Sequence, residues 1–311
     1  MRELWFVAPR KVEIREAELR APGKGEVVVR GLASCVSQGT ELLLYRGEGP
    51  QEFDPSLDAE PGAPTYPRRY GYAWVGETES KGRVFALAPH GDAHVLREAD
   101  VRPLPNDVPP ARATLAANLE TALTCVWDSE IGLGDRALVI GGGVVGILAS
   151  WLLVRAGAKV NLVEPRRARR GAAAALVPSL TLGEIAEGTA DVVVEASGDP
   201  RALDLAVKAC APGGRIVVAS FYGTRRAPLD LGDRFHRARL ELRSSQVSRI
   251  PPRLSSRWDT QRRFGFVVEL LGEAGLDHLI APPVPFARAP QLYASIDGNA
   301  DVPPAHVFVY R

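Results

Sequence analysis

The fold of this chain is decided by residues 137–146, which read Ala137-Leu-Val-Ile140-Gly141-Gly-Gly143-Val-Val-Gly146. Four apolar residues predict a buried strand, and the apolar run after the last glycine predicts a helix. Gly141 permits a tight turn, Gly143 lets the backbone approach a pyrophosphate, and Gly146 lets the helix pack closely on the strand. The free N–H groups at the helix N-terminus attract phosphate. We therefore expect a dinucleotide to bind the backbone of Gly141, Gly143, Val144, Val145 and Gly146.

The residues that follow this stretch argue against a glycine-rich turn without a ligand. A second apolar run, residues 159–163, ends in Glu164, at about the 20-residue distance from the first glycine that is typical of a ribose-binding carboxylate. Glu164 favours NAD, because a carboxylate accepts a hydrogen bond from the ribose 2′-OH and repels a 2′-phosphate. Arg166 and Arg167 favour NADP, because guanidinium groups bind phosphate. Since the acid lies at the end of the strand, we predict NAD, with NADP as the alternative.

Alternation of short apolar runs with helical segments continues from about residue 137 to residue 247. Residues 191–195, 215–220 and 240–247 are predicted strands, and residues 201–211 are a predicted crossover helix. This order is typical of a Rossmann fold, a doubly wound parallel sheet of the α/β class. Ligands bind at the carboxyl ends of such strands, so Ser197 and Tyr222 are expected to contact the cofactor.

Bulk composition indicates a globular protein with more than one domain. The chain has 311 residues and a formal net charge of +1, which gives no reason to expect nucleic acid or an anionic membrane as a partner. No apolar run reaches the ~18 residues of a membrane span. The three cysteines, Cys35, Cys125 and Cys210, are far apart and read as buried thiols. We expect a cytoplasmic protein that acts on a small molecule.

Four motifs carry a resemblance to a known family. They are Gly39-Thr-Glu-Leu-Leu-Leu-Tyr-Arg-Gly47, Gly71-Tyr-Ala-Trp-Val-Gly76, Gly134-Asp-Arg-Ala-Leu-Val-Ile-Gly141 and Pro212-Gly-Gly-Arg-Ile-Val-Val218. Their order along the chain resembles the medium-chain dehydrogenase/reductase superfamily of zinc-type alcohol dehydrogenases. The resemblance implies a β-rich, GroES-like catalytic domain over residues 1–118, completed by 251–311, and a Rossmann NAD(P)-binding domain over 119–250. It also implies a homodimer that forms through the edge of the Rossmann sheet, near residues 240–247.

Zinc ligands of that superfamily are missing from the matching positions. Zinc members begin the first motif with cysteine, where this chain has Gln38, and read Gly-His-Glu in the second, where it has Tyr72 and Ala73. The third ligand falls near Ala117. Because these side chains cannot replace thiolate and imidazole around Zn²⁺, the chain resembles a zinc-free branch. A metal held by unconventional ligands such as His90 or Glu41 is the alternative.

Catalytic roles are therefore expected for hydroxyl and acid–base side chains. The resemblance places Tyr72 in the slot of a zinc-binding histidine and Thr40 at the position of a proton-relay hydroxyl. Glu41 replaces a family aspartate and is expected to orient Tyr72, although Tyr72 could instead be a core tyrosine tied to Glu41. His90 is a candidate general acid, with a surface histidine as the alternative. By resemblance, Thr121 contacts the nicotinamide ring.

These observations predict a zinc-independent NAD(P)-dependent oxidoreductase that transfers hydride to or from a small or medium organic substrate. Alcohols and carbonyls, or enones and quinones, are the substrate classes that fit. The alternative is a catalytically silent protein that binds NAD(P)H as a sensor or scaffold.

Overall fold

The computed structural model describes residues 1–49, 65–183, 186–299 and 301–310. Within these residues, the strands form one parallel six-stranded sheet and two β-rich sheets that come mainly from the first third of the chain. No helix in the described ranges is both long and apolar enough to cross a lipid bilayer.

The first third is β-rich because short runs of β-branched and aromatic residues alternate with polar residues. Its eight strands are β1 (Arg2–Ala8), β2 (Lys11–Glu16), β3 (Glu26–Val36), β4 (Arg68–Arg69), β5 (Ala73–Thr78), β6 (Gly82–Ala86), β7 (Ala93–Arg97) and β8 (Arg102–Pro103). One small sheet has the order β2-β1-β4, and the larger sheet contains β3-β5-β6-β8 with β7 also paired to β3. All of these pairings are antiparallel.

Three helices accompany this β-rich part. Helix α1 (Gln38–Arg46) begins directly after β3, and the chain leaves the sheet through α2 (Pro110–Ala113) and α3 (Ala116–Ser129). The position of α1 matters for the site, because it places the first family motif at the carboxyl end of β3.

The parallel sheet forms the predicted Rossmann fold. Its elements are β9 (Arg136–Ile140), α4 (Val144–Arg155), β10 (Lys159–Val163), α5 (Arg167–Leu176), β11 (Thr181–Leu182), β12 (Ala190–Glu195), α6 (Ala202–Ala209), β13 (Cys210–Val218) and β14 (Glu241–Ser244). The strand order β11-β10-β9-β12-β13-β14 reverses between β9 and β12, which is the switch point where ligands bind in such sheets. Strand β14 is shorter than the predicted 240–247, and α6 is shorter than the predicted 201–211.

The last part of the chain returns to the first sheet. It contains α7 (Thr260–Leu270), β15 (Val284–Pro285), α8 (Ala289–Gly298) and β16 (His306–Val309). Strand β16 pairs antiparallel with β3, and β15 pairs parallel with β16, so both strands extend the β-rich sheet.

One hydrophobic core joins the two parts of the molecule. It contains Phe85 of β6, Leu119 of α3, Ile147 of α4 and Phe264 of α7, all buried. The rings of Phe85 and Phe264 lie 5.8 Å apart. Helix α7 therefore packs against both parts, and the domain boundary at residue 250 stays a prediction.

Candidate active site

A single large cleft of about 2140 Å³ contains most of the predicted site residues. The β-rich part contributes Ser37, Thr40 and Tyr72, and the Rossmann part contributes Gly143 and Ser197. Because these residues come from both parts of the molecule, the cleft brings the predicted cofactor turn and the predicted catalytic turn into one space.

The glycine turn has the geometry that a dinucleotide site requires. Gly141 has a φ of +104°, and a Cβ there would lie 2.5 Å from the Cα of Ser197. A Cβ on Gly146 would lie 1.9 Å from the carbonyl oxygen of Gly141, which prevents any side chain at the close contact of α4 with the turn. A Cβ on Gly143 would have no neighbour nearer than Arg169 Nη1 at 3.9 Å, so the space above this amide is open to a ligand.

Glu164 is buried directly beneath this turn. Its Oε2 accepts from the Gly142 N–H at 2.8 Å and its Oε1 from the Arg166 N–H at 2.9 Å. The guanidinium groups of Arg166 and Arg169 lie 4.0 and 3.9 Å from the same carboxylate, and both arginines line the cleft. Contact of Glu164 with a ribose stays a prediction, because its carboxylate is 2% exposed.

Arg169 is a cleft residue that sequence reasoning missed. Burial, followed by the nearby charge of Arg166, lowers its pKa to about 10, so the guanidinium remains charged at neutral pH. It lies on the first turn of α5, two residues after the predicted Arg167. The sequence does not indicate which of the two arginines faces the cleft, because that depends on how α5 packs. The structure leaves Arg167 exposed.

Two predicted cofactor residues follow β12 and β13 and meet at the buried carboxylate of Glu195. Ser197 lines the cleft, and its N–H donates to Glu195 at 2.8 Å. The Tyr222 hydroxyl donates to the other oxygen of Glu195, and burial together with this bond raises the pKa of Tyr222. The neighbouring Phe221 lines the cleft in its place and is 50% exposed. Thr121, on α3, also lines the cleft, and its contact with the nicotinamide ring stays a prediction.

Hydroxyl groups lie on the β-rich side of the cleft. The Tyr72 and Ser37 hydroxyls lie 2.5 Å apart, and Thr40 is a further hydrogen-bond partner of Tyr72. Burial raises the pKa of Tyr72 to about 12 in spite of these hydrogen bonds, which favour the ionised form. Tyr72 is therefore a protonated phenol at neutral pH that can donate to an oxygen in the cleft.

Glu41 lies in a different, fully buried network. Its Oε2 accepts from the Tyr293 hydroxyl and lies 3.0 Å from His90 Nε2, and its Oε1 accepts from the Ser37 N–H at 2.8 Å. The sequence predicts contact of Glu41 with Tyr72, but the structure shows no direct hydrogen bond between their described side chains. Glu41 reaches Tyr72 only by way of Ser37, whose N–H it holds and whose hydroxyl binds the tyrosine.

His90 belongs to the same network. Its ring is 1% exposed, and Nδ1 lies 2.7 Å from the Ser34 hydroxyl, which in turn lies 2.6 Å from the Tyr310 hydroxyl. The alternative of a surface histidine is therefore wrong. His90 does not line the cleft, so a role as general acid toward substrate remains a prediction without contact geometry.

Comparison with known proteins agrees with this architecture. No protein-family model matches the chain. The chain is 28% identical to D-guloside 3-dehydrogenase from Escherichia coli (strain K12), over 94% of this chain and 95% of that protein. It is 26% identical to L-threonine 3-dehydrogenase from Pyrococcus horikoshii, over 68% of this chain and 72% of that protein. The chain is thus similar to dehydrogenases of the medium-chain dehydrogenase/reductase superfamily.

A solved structure has the same fold as this chain. The short chain alcohol dehydrogenase from Escherichia coli CFT073, complexed with NADH, superposes with a TM-score of 0.77 and 17% identity, and covers 100% of this chain and 99% of that one. The likeness extends over both the Rossmann sheet and the β-rich sheets.

Gln38, which the sequence resemblance places at a zinc-ligand position, takes part in hydrogen bonds with the protein. Gln38 Nε2 donates to the carbonyls of Pro303 and Pro304 at 2.9 and 3.0 Å, and its Oε1 accepts from Arg169 at 2.7 Å. Both ends of the Gln38 amide are thus engaged by protein groups, and an amide is not one of the thiolate, imidazole and carboxylate ligands that zinc takes in proteins. Tyr72 and Ala117 complete a set that does not fit tetrahedral zinc. The described ranges also contain no group of three or more His, Cys, Asp or Glu side chains that could hold a metal ion.

Proposed function

We propose that this chain is a zinc-independent, NAD(P)-dependent oxidoreductase that transfers hydride to or from a small or medium organic substrate. The observation that carries the proposal is that the open amide of Gly143 and the hydroxyl pair Tyr72–Ser37 line the same cleft. A dinucleotide site alone would fit many proteins, and a buried tyrosine alone would fit a core. Their shared cleft supports a reaction between a coenzyme and a substrate.

The Rossmann side of the cleft would hold the coenzyme. Its backbone at Gly141, Gly143 and Gly146, with the N-terminus of α4, suits the pyrophosphate, and Thr121 and Ser197 line the cleft beyond it. A nicotinamide ring bound there supplies the hydride chemistry. We favour NAD(H) over NADP(H), because Glu164 already lies within 4.0 Å of the two guanidinium groups that a 2′-phosphate would need.

The hydroxyl cluster would handle the proton that accompanies hydride transfer. Tyr72 is protonated at neutral pH and can donate to a substrate carbonyl oxygen, which removes the need for a Lewis acid. Ser37 and Thr40 are the groups that can return a proton to Tyr72 or receive one from it. In the direction of alcohol oxidation the same hydroxyls would relay the substrate proton onward to solvent, each hydroxyl giving up its own proton as it takes one.

The test combines coenzyme binding, turnover and metal analysis. Purified protein should bind NADH in a calorimetric titration, change the absorbance of NAD(P)H at 340 nm with a panel of alcohols, aldehydes, ketones, enones and quinones, and keep this activity after dialysis against a chelator. A stoichiometric transition metal whose removal abolishes turnover would contradict zinc independence. Tight NADH binding without turnover on any substrate, and with no effect of Tyr72→Phe, would favour the sensor or scaffold.

We also propose a cytoplasmic homodimer. Strand β14 is the edge of the parallel sheet, and its Leu242 is 37% exposed, which suits pairing with a second copy. The three cysteines are free and buried, as expected for a reducing compartment. Light scattering of the purified protein tests the dimer, and fractionation of expressing cells tests the location.

A further inference from the structure

The cleft is far more positive than the chain as a whole. Among the described residues, nine arginines and three acids line it, whereas the net charge of the chain is +1. A bound coenzyme diphosphate would neutralise only part of this positive charge. Arg166 and Arg169, the two arginines near Glu164, are placed to bind it. The arginines are Arg46, Arg68, Arg102, Arg166, Arg169, Arg201, Arg225, Arg226 and Arg263, and the acids are Glu120, Asp199 and Asp297.

One cluster in the cleft holds two guanidinium groups around a single carboxylate. Arg263 Nε donates to Glu120 Oε1 at 3.0 Å, and Arg102 Nη1 donates to Glu120 Oε2 at 3.1 Å. Arg263 is buried, and its Nη1 donates hydrogen bonds to the carbonyl of Val247 and to the hydroxyl of Thr124. The cluster therefore carries one uncompensated positive charge, and the side chain that is exposed is Arg102, at 32%.

The cluster lies beside the predicted nicotinamide contact. Glu120 directly precedes Thr121 on α3, and both line the cleft. Arg102 pairs with Phe85 across β8 and β6, and Leu87, two residues further on, lines the cleft and is 60% exposed. An apolar side chain and a guanidinium group thus flank the place where a substrate would meet the coenzyme.

Arg102 is fixed in position yet keeps donors available. Its guanidinium lies 4.8 Å from the centre of the Phe264 ring, and its Nη1 is held by Glu120. Within the part of the chain that the structure describes, this is the one hydrogen bond that its side chain makes. A guanidinium has five N–H donors, so a carboxylate or a phosphate can accept from two of the remaining four.

From this arrangement we propose that the substrate carries a carboxylate or a phosphate, and that Arg102 binds this group. The inference rests on the proposed function and names the substrate class of the same site. A neutral polyol or a simple alcohol would leave the extra charge of the cluster without a partner, whereas a hydroxy acid or a sugar phosphate would neutralise it.

The experiment compares three ligands that differ mainly in charge: D-sorbitol, D-gluconate and D-sorbitol 6-phosphate. Each is titrated calorimetrically into NADH-saturated protein and is also assayed for reduction of NAD at 340 nm. We expect at least one of the two anions to bind 10-fold or more tightly than sorbitol, and the preference to weaken as ionic strength rises. The two anions distinguish a carboxylate site from a phosphate site.

Variants connect this preference to one side chain. Arg102→Gln should weaken binding of the preferred anion at least 10-fold and leave the NADH dissociation constant within 2-fold, and Arg102→Lys should retain part of the preference. Arg155→Gln is the matched control, because Arg155 also binds one carboxylate, Glu273 at 3.0 Å, and lies 4.9 Å from an aromatic ring, Trp151, but outside the cleft. It should behave as wild type.

The inference is overturned if sorbitol binds as well as both anions, or if no anion binds, or if Arg102→Gln and Arg155→Gln have equal effects. Binding of an anion without any turnover supports the anion site while contradicting the oxidoreductase. Turnover of sorbitol with no preference for the anions supports the oxidoreductase while contradicting the anion site.

Discussion

At the residue scale, each spaced glycine of the turn has a separate physical task. Gly146 has no room for a side chain, because a Cβ would overlap the carbonyl of Gly141 in the same turn. Gly143 has room, and the space it leaves is where a pyrophosphate would approach. Packing and ligand binding are thus separated between two positions only three residues apart.

This separation predicts opposite phenotypes for two alanine variants. Gly146→Ala should lower the free energy of unfolding by about 1–3 kcal/mol, because the backbone must shift to admit the methyl group. Gly143→Ala should leave the free energy of unfolding within about 0.5 kcal/mol and weaken NADH binding at least 10-fold. Urea unfolding and calorimetry measure the two effects. Equal loss of stability in both variants would contradict the assignment.

Tyr72 gives a second prediction at this scale. Tyr72→Phe should lower kcat by about 100-fold, since it removes the proposed proton donor, while the NADH dissociation constant stays within 2-fold. Tyr45→Phe, which alters a buried tyrosine outside the cleft, is the control.

The raised pKa of Tyr72 gives a prediction about pH. The rate at which the wild-type protein reduces a carbonyl should not fall near pH 10, where an ordinary tyrosine ionises, because burial raises the pKa of Tyr72 to about 12. An ionisation near pH 10 that Tyr72→Phe removes would contradict the raised pKa.

At the element scale, a buried polar network fixes the start of α1. Glu41 joins the N–H of Ser37 to the ring of His90 and the hydroxyl of Tyr293, so β3, α1 and α8 are tied to the segment after β6. Buried polar groups of this kind are costly when a partner is lost. Because the network holds the backbone of Ser37, whose hydroxyl contacts that of Tyr72, we expect it to act on catalysis by positioning Tyr72.

The prediction for this network concerns stability first. His90→Ala should lower the free energy of unfolding by about 2–4 kcal/mol, because Glu41 and the Ser34 hydroxyl each lose a buried partner. His278→Ala, at an exposed histidine, should change it by less than about 0.5 kcal/mol. Chemical unfolding of the two variants is the measurement. A His90→Ala protein as stable as wild type would show that the network is not fixed by this ring.

Sequence reasoning succeeded where the determinants are local and failed where they are not. The glycine turn and the strand order follow from patterns within a few dozen residues. Tyr72 was expected to be oriented by Glu41, but its partner is Ser37, because the choice between them depends on how β5 packs beside α1. Tyr293 and Tyr310 reach the network from the end of the chain, and no local pattern indicates which side chains the returning strand and α8 bring inside.

At the scale of the whole molecule, stability depends on histidines that the fold keeps neutral. Burial lowers the pKa of His94, which binds the carbonyl of Pro89 at 2.9 Å, and burial, together with the charge of Arg169, lowers the pKa of His306. In the described residues His306 Nε2 has no hydrogen-bond partner. The folded protein thus binds fewer protons than the unfolded chain wherever free histidine titrates.

Stability should therefore fall as pH falls below the ordinary histidine pKa of about 6.5. The unfolded state takes up protons first, so the free energy of unfolding rises with pH through this window and levels off above about pH 7. His94→Gln should flatten the dependence, and the exposed His278→Gln should not. Urea unfolding between pH 5 and pH 8 tests this, and a wild-type profile that is flat or rises toward acid would contradict it.

The amide of Gln38 has one more consequence, which concerns motion. It joins the start of α1 to the carbonyls of Pro303 and Pro304 on one side and to Arg169 of helix α5 on the other. Any hinge movement that widens the cleft to release a coenzyme must stretch the bond between Gln38 and Arg169. Arg169 also donates to the carbonyl of Val302 at 3.3 Å, and the Ala168 N–H donates to Asp301 at 2.8 Å, so the bond of Gln38 is one of several that would have to lengthen before the two parts of the molecule separate.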